Sequence, residues 1–341
     1  MNTLNNWTLV IVGLLSLAVL VLGANLAVKK LIGIANYFHL SSTFIGMTVL
    51  SIATSLPEIT SHYLASVNIL RNALDFQIGS AIVLGSNIGS DVVQQTFIMG
   101  LVVFLAGGLY FRRYFLLKNM IPMIGTTVMC LILGFDGHYS RLDGFILFGS
   151  FIAYSYYLFR DERKYYKEED NQLESEELNG DIAKNGKDVL RDSLITILMI
   201  GVIIGAASVV LNLTELLVER TGIGGSLIGI MSLGLASALP ELTTALAGIR
   251  HKEHGISLGT LVGSNITNPL VAIGGGALIS TYAVPKPLIY WDLPWEPLTG
   301  LVLLFVLLRT KGKLGKREGV ILIILYFLYI ILLAVFFSID F

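Results

Sequence analysis

One segment of this chain occurs twice. Residues 46–58 read GMTVLSIATSLPE and residues 229–241 read GIMSLGLASALPE, so that Gly46 matches Gly229 and Glu58 matches Glu241 without a gap. Each copy is followed by a second element, IGSAIVLGSNIGSD ending at Asp91 and LGTLVGSNITN ending at Asn268. Their Gly-Ser-Asn-Ile cores start at Gly85 and Gly263. A chain carrying the same unit twice is expected to fold as two copies of one architecture packed on each other. The repeated segments are small, polar and proline-interrupted, carry a carboxylate, and sit inside otherwise apolar surroundings. That combination points to a buried ion site at the interface of the two repeats.

The apolar surroundings decide the class. Of 341 residues, 54% are hydrophobic and only 14% charged, with a mean hydropathy of +0.75. A soluble domain carries about 25% charged residues. Successive windows of roughly 18 or more apolar residues identify a polytopic α-helical membrane protein. Cys130 is the single cysteine, which excludes a disulfide framework and a thiolate metal site. The basic residues are scattered in short loops without aromatic stacking partners, so nucleic-acid binding is not expected. No partner protein is indicated, and no resident cofactor is expected.

Ten spans are predicted, near 7–28, 41–69, 77–110, 120–135 and 142–159, then near 192–212, 223–249, 256–281, 296–309 and 318–338. The first lacks a basic leader and a cleavage site and reads as a retained span rather than a signal peptide. Between the fifth and sixth, residues 160–191 have no apolar periodicity and read as a charged, solvated cytoplasmic linker, with some helix allowed within it. The chain therefore divides into an N-terminal repeat (1–159), the linker (160–191) and a C-terminal repeat (192–341). Acidic clusters in the linker, Glu168-Glu169-Asp170 and Glu174 to Glu177, lack EF-hand spacing and suit a solvated tether.

Loops following spans 1, 3, 5, 7 and 9 hold 19 of the 23 Lys and Arg residues; the opposite side holds only Arg71, Arg141, Arg220 and Lys286. The positive-inside rule makes the basic side cytoplasmic and leaves both termini outside. Five is an odd number, so the second repeat enters the membrane from the side opposite to the first. The fold class expected is an all-α membrane protein of ten helices in an inverted-topology 5+5 repeat.

Glu58 and Glu241 are the first candidates for ion ligands. A carboxylate at membrane depth costs several kcal/mol unless it is paired, protonated or bound to a cation. Pro57 and Pro240 each remove a backbone hydrogen bond and free a carbonyl nearby. Carboxylates, hydroxyls and carbonyls are the hard oxygen ligands that Ca²⁺ and Na⁺ require. Thr54, Ser55 and Ser237 lie three or four residues before the glutamates, on the same helical face; the alternative for each is a bond to its own helix. Ser51 and Gly234, two turns back, would offer backbone carbonyls. Ser86 and Ser264 open the second element of each half. Asn268 follows Ser264 by one turn; Ser90 is its counterpart, and Asp91 comes one residue later. Asp91 reads equally as a cation ligand or as an accessory charge held by Gln94 or Gln95. His62 is expected to form a hydrogen bond across the bundle, and His251 and His254 carry no assignment.

On these residues the chain resembles the cation/Ca²⁺ antiporter superfamily, which contains the Na⁺/Ca²⁺ exchangers and their short prokaryotic relatives. That family's repeats carry a Gly-Thr-Ser-Leu-Pro-Glu element and a Gly-Ser-Asn-Ile/Val element. Here they read Ala53-Thr54-Ser55-Leu56-Pro57-Glu58 with Gly85-Ser86-Asn87-Ile88, and Ala236-Ser237-Ala238-Leu239-Pro240-Glu241 with Gly263-Ser264-Asn265-Ile266. The resemblance implies a central site built from Glu58, Glu241, the neighbouring Ser and Thr groups, and the residue four positions after each Gly-Ser serine. Those last positions usually bear Asn in the first repeat and Asp in the second; this chain has Ser90 and Asn268. It also has alanine for the motif glycine in both halves, and Ala238 where serine is common.

The expected function is secondary antiport of Ca²⁺ against Na⁺, the ions being transported substrates, with H⁺- or K⁺-coupled exchange as the alternative. The expected location is a prokaryotic plasma membrane. No ATP motif or catalytic centre is visible, so enzymatic activity is not expected. The rival class is a channel-like or non-transporting membrane protein of the same fold. An intramembrane hydrolase is disfavoured, since no HExxH motif, paired catalytic Asp or Ser–Lys dyad occurs.

Overall fold

The computed structural model describes residues 6–37, 46–111, 116–161, 185–250 and 254–340. The first residues of the second expected span, Arg112, Arg113, most of the linker with its acidic clusters, and His251 lie outside these. Helix dominates. In chain order the helices are α1 (Asn6–Tyr37), α2 (46–70), α3 (Phe76–Ala106), α4 (Leu116–Leu133), α5 (Arg141–Asp161), α6 (Gly186–Thr221), α7 (225–250), α8 (254–279), α9 (Leu288–Arg309) and α10 (Lys316–Phe336). Eight are long and apolar enough to cross a membrane: all but α2 and α8, where serine, threonine, glycine and asparagine dilute the apolar content.

The exposure pattern is that of a protein solvated by lipid. Leu14, Leu15, Ile197, Leu198, Phe305 and Ile331 are exposed, while Ser51, Asn87, Asp91, Gln94, Asn265 and Glu296 are fully buried. In water the apolar belt would be an aggregation surface; in a bilayer it is the expected outer face. This is an integral membrane protein.

Packing between the halves is reciprocal. The α3 helix lies against the start of α7, and α8 lies against the start of α2; the second half of α3 meets α10, and that of α8 meets α5. The α4 and α9 helices pack together, as do α1 and α6. Small residues set the spacing, as helix approach inside a membrane requires. A Cβ on Gly85 would fall 2.5 Å from the Ser226 backbone, and one on Gly263 would fall 2.8 Å from the Ser51 side chain. Two short antiparallel pairs repeat the relationship. β1 (Leu109–Tyr110), after α3, pairs with β4 (Lys313–Leu314), before α10. β2 (His138–Tyr139), before α5, pairs with β3 (Tyr282–Ala283), after α8.

Several boundaries differ from the expectations, among them the start of α6 and the end of α1. The α6 helix begins at Gly186, capped by Asn185, whose side chain accepts from the Lys187 and Asp188 amides. The last residues assigned to the linker are therefore helical. The α1 helix continues past Lys29 and Lys30 to Tyr37. Lys30 is buried and lies 3.4 Å from Asp192 on α6, so the two form a charge pair inside the helix bundle.

Candidate functional site

The two Leu-Pro-Glu segments build the same local device. In α2 a π-helical stretch (Gly46–Leu50) leads into a short α-helical turn (Ser51–Thr54), a break at Ser55, and then Leu56–Leu70. In α7 a π-helical stretch (Ile230–Gly234) leads into Leu235–Ser237, a break at Ala238, and Leu239–Arg250. The break residues are nearly superposable, with φ −78° and ψ 5° at Ser55 and φ −77° and ψ −7° at Ala238. Matching bonds flank them: Ser55 N–H to Ser51 O and Ile59 N–H to Ser55 O, against Ala238 N–H to Gly234 O and Leu242 N–H to Ala238 O. The cause is local. Pro57 and Pro240 have no N–H to offer the carbonyls of Ala53 and Ala236, so the helix shifts register just before each glutamate.

The glutamates exchange surroundings across the repeat boundary. Glu58 Oε1 accepts from Ser90 Oγ at 2.8 Å, and Ser237 of the other half lies beside the same carboxylate. Glu241 lies beside Ser264 of its own half and Thr54 of the other, whose hydroxyls are 3.1 Å apart. Glu58, Glu241 and Asp91 are within electrostatic reach of one another. Asp91 Oδ1 accepts from Asn268 Nδ2 at 2.6 Å, so its partner is the repeat counterpart of Ser90 and not Gln94 or Gln95.

Several oxygens in this region are buried with no hydrogen-bond partner: Glu58 Oε2, both Glu241 carboxylate oxygens, Asp91 Oδ2, Asn87 Oδ1, Asn268 Oδ1 and Ser55 Oγ. Orphaned buried acceptors each cost about 1–3 kcal/mol, more when charged, and their clustering fits a bound cation. Among the described residues no three His, Cys, Asp or Glu side chains gather as a metal site. A cation here would depend on hydroxyl, amide and backbone oxygens as well as carboxylates, the donor set of a hard ion.

The other expected residues divide. Ser237 hydrogen-bonds the Gly234 carbonyl at 3.2 Å, and Thr54 bonds the Leu50 carbonyl at 2.9 Å, so both back-bond their helices while facing a glutamate. Ser51 donates to Met47 O and meets Thr267 Oγ1 at 3.1 Å, which turns it toward α8 packing. Gly234 lets the Ser86 carbonyl come within 2.8 Å of where its Cβ would stand. Ser86 is buried at this crossing. His62 meets Tyr282 OH at 3.1 Å, the expected bond across the bundle.

A polar chain that the sequence reading did not assemble runs from Glu58 into the second half. Ser90 accepts from Gln94 Nε2 at 3.1 Å, Gln94 Oε1 accepts from Asn265 Nδ2 at 3.0 Å, and Asn265 Oδ1 accepts from Gln95 Nε2 at 2.8 Å. The same Gln95 Nε2 also donates to Glu296 Oε1 at 3.2 Å, and Thr127 donates to that oxygen at 2.7 Å. The available sign is a carboxylate in the Leu-Pro-Trp-Glu-Pro run at 293–297. The expected ninth span starts at residue 296, which puts Glu296 at a helix edge; α9 starts at Leu288.

Comparison with known proteins places this architecture. The family model described as sodium/calcium exchanger protein matches residues 8–160 and 193–335. The chain is 28% identical over 290 residues to the inner membrane protein YrbG of Escherichia coli, spanning 84% of each protein. It is 25% identical over 356 residues to the sodium/calcium exchanger MaX1 of Methanosarcina acetivorans, spanning 94% of this chain and 97% of that one. Among solved structures it matches the sodium-calcium exchanger NCX_Mj soaked with 10 mM Na⁺ and 10 mM Sr²⁺, with a TM-score of 0.65 and 25% identity over 95% of this chain and 97% of the other. The chain belongs to the sodium/calcium exchanger family, a branch of the cation/Ca²⁺ antiporter superfamily of membrane transporters.

Proposed function

We propose that this protein exchanges Ca²⁺ for Na⁺ through an alternating-access site formed where the two repeats meet. The observation that carries this reading is the crossed arrangement of the glutamates: Glu58 stands with Ser90 and Ser237, Glu241 with Ser264 and Thr54. Each half thus completes the other's site. Two carboxylates in a low-dielectric cavity do not both remain ionised without compensating cations. One Ca²⁺, or monovalent ions in its place, would supply that compensation, so binding of the two substrates is mutually exclusive. The ion ligands in this reading are Glu58, Glu241, Thr54, Ser55, Ser237, Ser86, Ser264, Asn268, Ser90 and Asp91, with backbone oxygens at Ser51 and Gly234. The driving energy is the counter-ion gradient.

The topology in this reading is ten crossings in an inverted 5+5 arrangement, with repeats over 1–159 and 192–341 and both termini outside a prokaryotic plasma membrane. The strand pairs support it by parity. β1 and β4 belong to the 3–4 and 9–10 connections, which must share one side. Of the six helices between them, α8 alone is not among the eight apolar candidates. Five crossings would put the strands on opposite sides, and six put them together. The β2–β3 pair requires the same of α8 independently. Access would alternate by movement of α1 and α6, which pack on each other and are held by Lys30–Asp192 at one end.

Asn268 favours a second coupling ion. It brings a carbonyl oxygen but no charge, and if Asp91 stays outside the site, two protons balance the glutamates as well as one Ca²⁺ does. The test is Ca²⁺ uptake by reconstituted vesicles loaded with Na⁺, K⁺ or choline at equal pH, repeated with an imposed pH gradient. Uptake driven by internal Na⁺ supports Na⁺ coupling, and uptake that ignores Na⁺ and follows the proton gradient assigns H⁺. Ca²⁺ flux without any opposing gradient identifies a channel.

A further inference from the structure

The α4 and α9 helices are repeat counterparts. Each begins with a π-helical stretch, Leu116–Met120 and Leu288–Asp292, followed at once by Ile121-Pro122 or Leu293-Pro294. In that alignment Thr127 matches Thr299, and Glu296 matches Ile124. Alignment of the Gly-Ser-Asn-Ile elements likewise matches Gln95 with Ile273. The chain therefore holds isoleucine at both mirror positions and a hydrogen-bonded Gln95–Glu296 pair on one side only. Packing alone is satisfied by isoleucine, as Ile124 and Ile273 demonstrate in the same fold. A buried carboxylate is a costly replacement that packing does not require.

The surroundings of Glu296 are oxygen-rich and enclosed. Thr127 Oγ1 bonds Glu296 Oε1 at 2.7 Å, and Thr299 Oγ1 bonds Gln95 Oε1 at 3.2 Å. Glu296 is 0% exposed, and its second oxygen, Oε2, has no hydrogen-bond partner. Gly300, one turn on, lets α9 approach: a Cβ there would come within 2.9 Å of Ile124 and 3.6 Å of Gln95 Oε1. Pro297 lies inside the α9 helix and cannot donate to the Leu293 carbonyl. One carboxylate with two hydroxyls and an amide oxygen is the donor set of a small monovalent cation: hard oxygens and a single fixed charge. Among the described residues, no lysine or arginine is paired with Glu296 to take that role.

We propose that Glu296, with Gln95, Thr127 and Thr299, forms a second cation station that binds Na⁺ behind the site of the paired glutamates. The Ser90–Gln94–Asn265–Gln95 chain connects it to Glu58. It supplies a fixed negative charge, which the Asn268 amide cannot. The inference rests on the exchange reading only for naming the bound ion a counter-ion, and binding is measurable without transport.

The chain has three tryptophans, two of which, Trp291 and Trp295, precede Glu296 on α9 with ring centroids 4.9 Å apart. In a Trp7→Phe background, fluorescence of the purified full chain in detergent without Ca²⁺ reports on this helix. Titration with Na⁺ at fixed pH and ionic strength, balanced with N-methyl-D-glucamine, is expected to give a saturable change. That change is retained in Glu58→Gln and is lost or shifted at least about tenfold to higher Na⁺ in Glu296→Gln, the effect of removing a charged ligand. Thr299→Val, which keeps the carboxylate, shifts the midpoint the same way and serves if Glu296→Gln does not fold. A wild-type response absent for Na⁺, unchanged in Glu296→Gln and Thr299→Val, or abolished by Glu58→Gln overturns the proposal. Failure of Ca²⁺ exchange in vesicles with a Glu296-dependent titration intact would overturn the exchange reading and leave this station standing.

Discussion

The hydroxyls of Thr54 and Ser264 lie 3.1 Å apart, one from the second helix and one from the eighth, beside the Glu241 carboxylate. Residues so distant in sequence meet there because Gly263 lets α8 press against Ser51 and Met47 of α2. The contact ties the position of a carboxylate in one half to a hydroxyl of the other.

Thr54→Val keeps the side-chain shape and removes the hydroxyl. It is expected to raise the Ca²⁺ concentration for half-maximal uptake by about tenfold, the effect of losing one hydrogen bond to a charged group or its ion. Ser264→Ala should act alike, and the double variant should cost less than the product of the two, since the groups share one contact. Uptake kinetics in vesicles at matched protein levels check this.

Asp91→Asn removes a fixed charge within electrostatic reach of both glutamates. The Asn268 bond to Asp91 Oδ1 survives as an amide pair, so folding is retained while counter-ion dependence changes. The expected result is at least about a tenfold rise in the Na⁺ needed to drive Ca²⁺ uptake, from the Coulomb term at an intermediate dielectric. An unchanged Na⁺ dependence would place Asp91 outside the site.

Glycine substitutions should separate helix approach from mere composition. Gly85→Ala puts a methyl group 2.5 Å from the Ser226 backbone, where nothing flexible can yield. Overpacking of this kind costs about 1–3 kcal/mol or more, so loss of monodispersity or of thermal stability in detergent is expected. Gly205→Ala, with no atom within 4 Å, should leave both unchanged.

Sidedness is testable in the two strand pairs. In a Cys130→Ala background, a cysteine at Asp136, beside the β2–β3 pair, is expected to react with an impermeant thiol reagent from outside. A cysteine at Lys311, beside β1–β4, should react only after the membrane is opened. Both positions are exposed. Labelling of both from one side would contradict the parity reading.

Much of this architecture was legible in the residues. Apolar length located α1, α3, α6 and α10, and the doubled Leu-Pro-Glu and Gly-Ser-Asn-Ile segments located the helices that line the candidate site. Periodicity could not say how far helix continues once its outer face turns polar, which is why α1 runs on through Lys29 and Lys30 and α6 starts before residue 192. Glu296 was hidden for a different reason. Prolines ordinarily interrupt a helix, yet the one that follows the π-helical stretch continues through Pro294 and Pro297. Repeat comparison also favours residues that match, whereas Glu296 and Gln95 are informative because their counterparts are isoleucine. The Asp91–Asn268 bond depends on two elements 177 positions apart, and spacing within either gives no hint of it.

The central claim is that Glu58 and Glu241 together hold the transported ion, and the most direct test is Ca²⁺ uptake by vesicles containing wild type, Glu58→Gln or Glu241→Gln. Folding is checked by size-exclusion profile, and the internal counter-ion is the one that drives wild-type uptake. Wild type should accumulate Ca²⁺ only against an opposing gradient, and each variant should lose at least about tenfold of that rate, because amide replacement removes charge while keeping shape. Uptake by either folded variant at the wild-type rate would contradict the account.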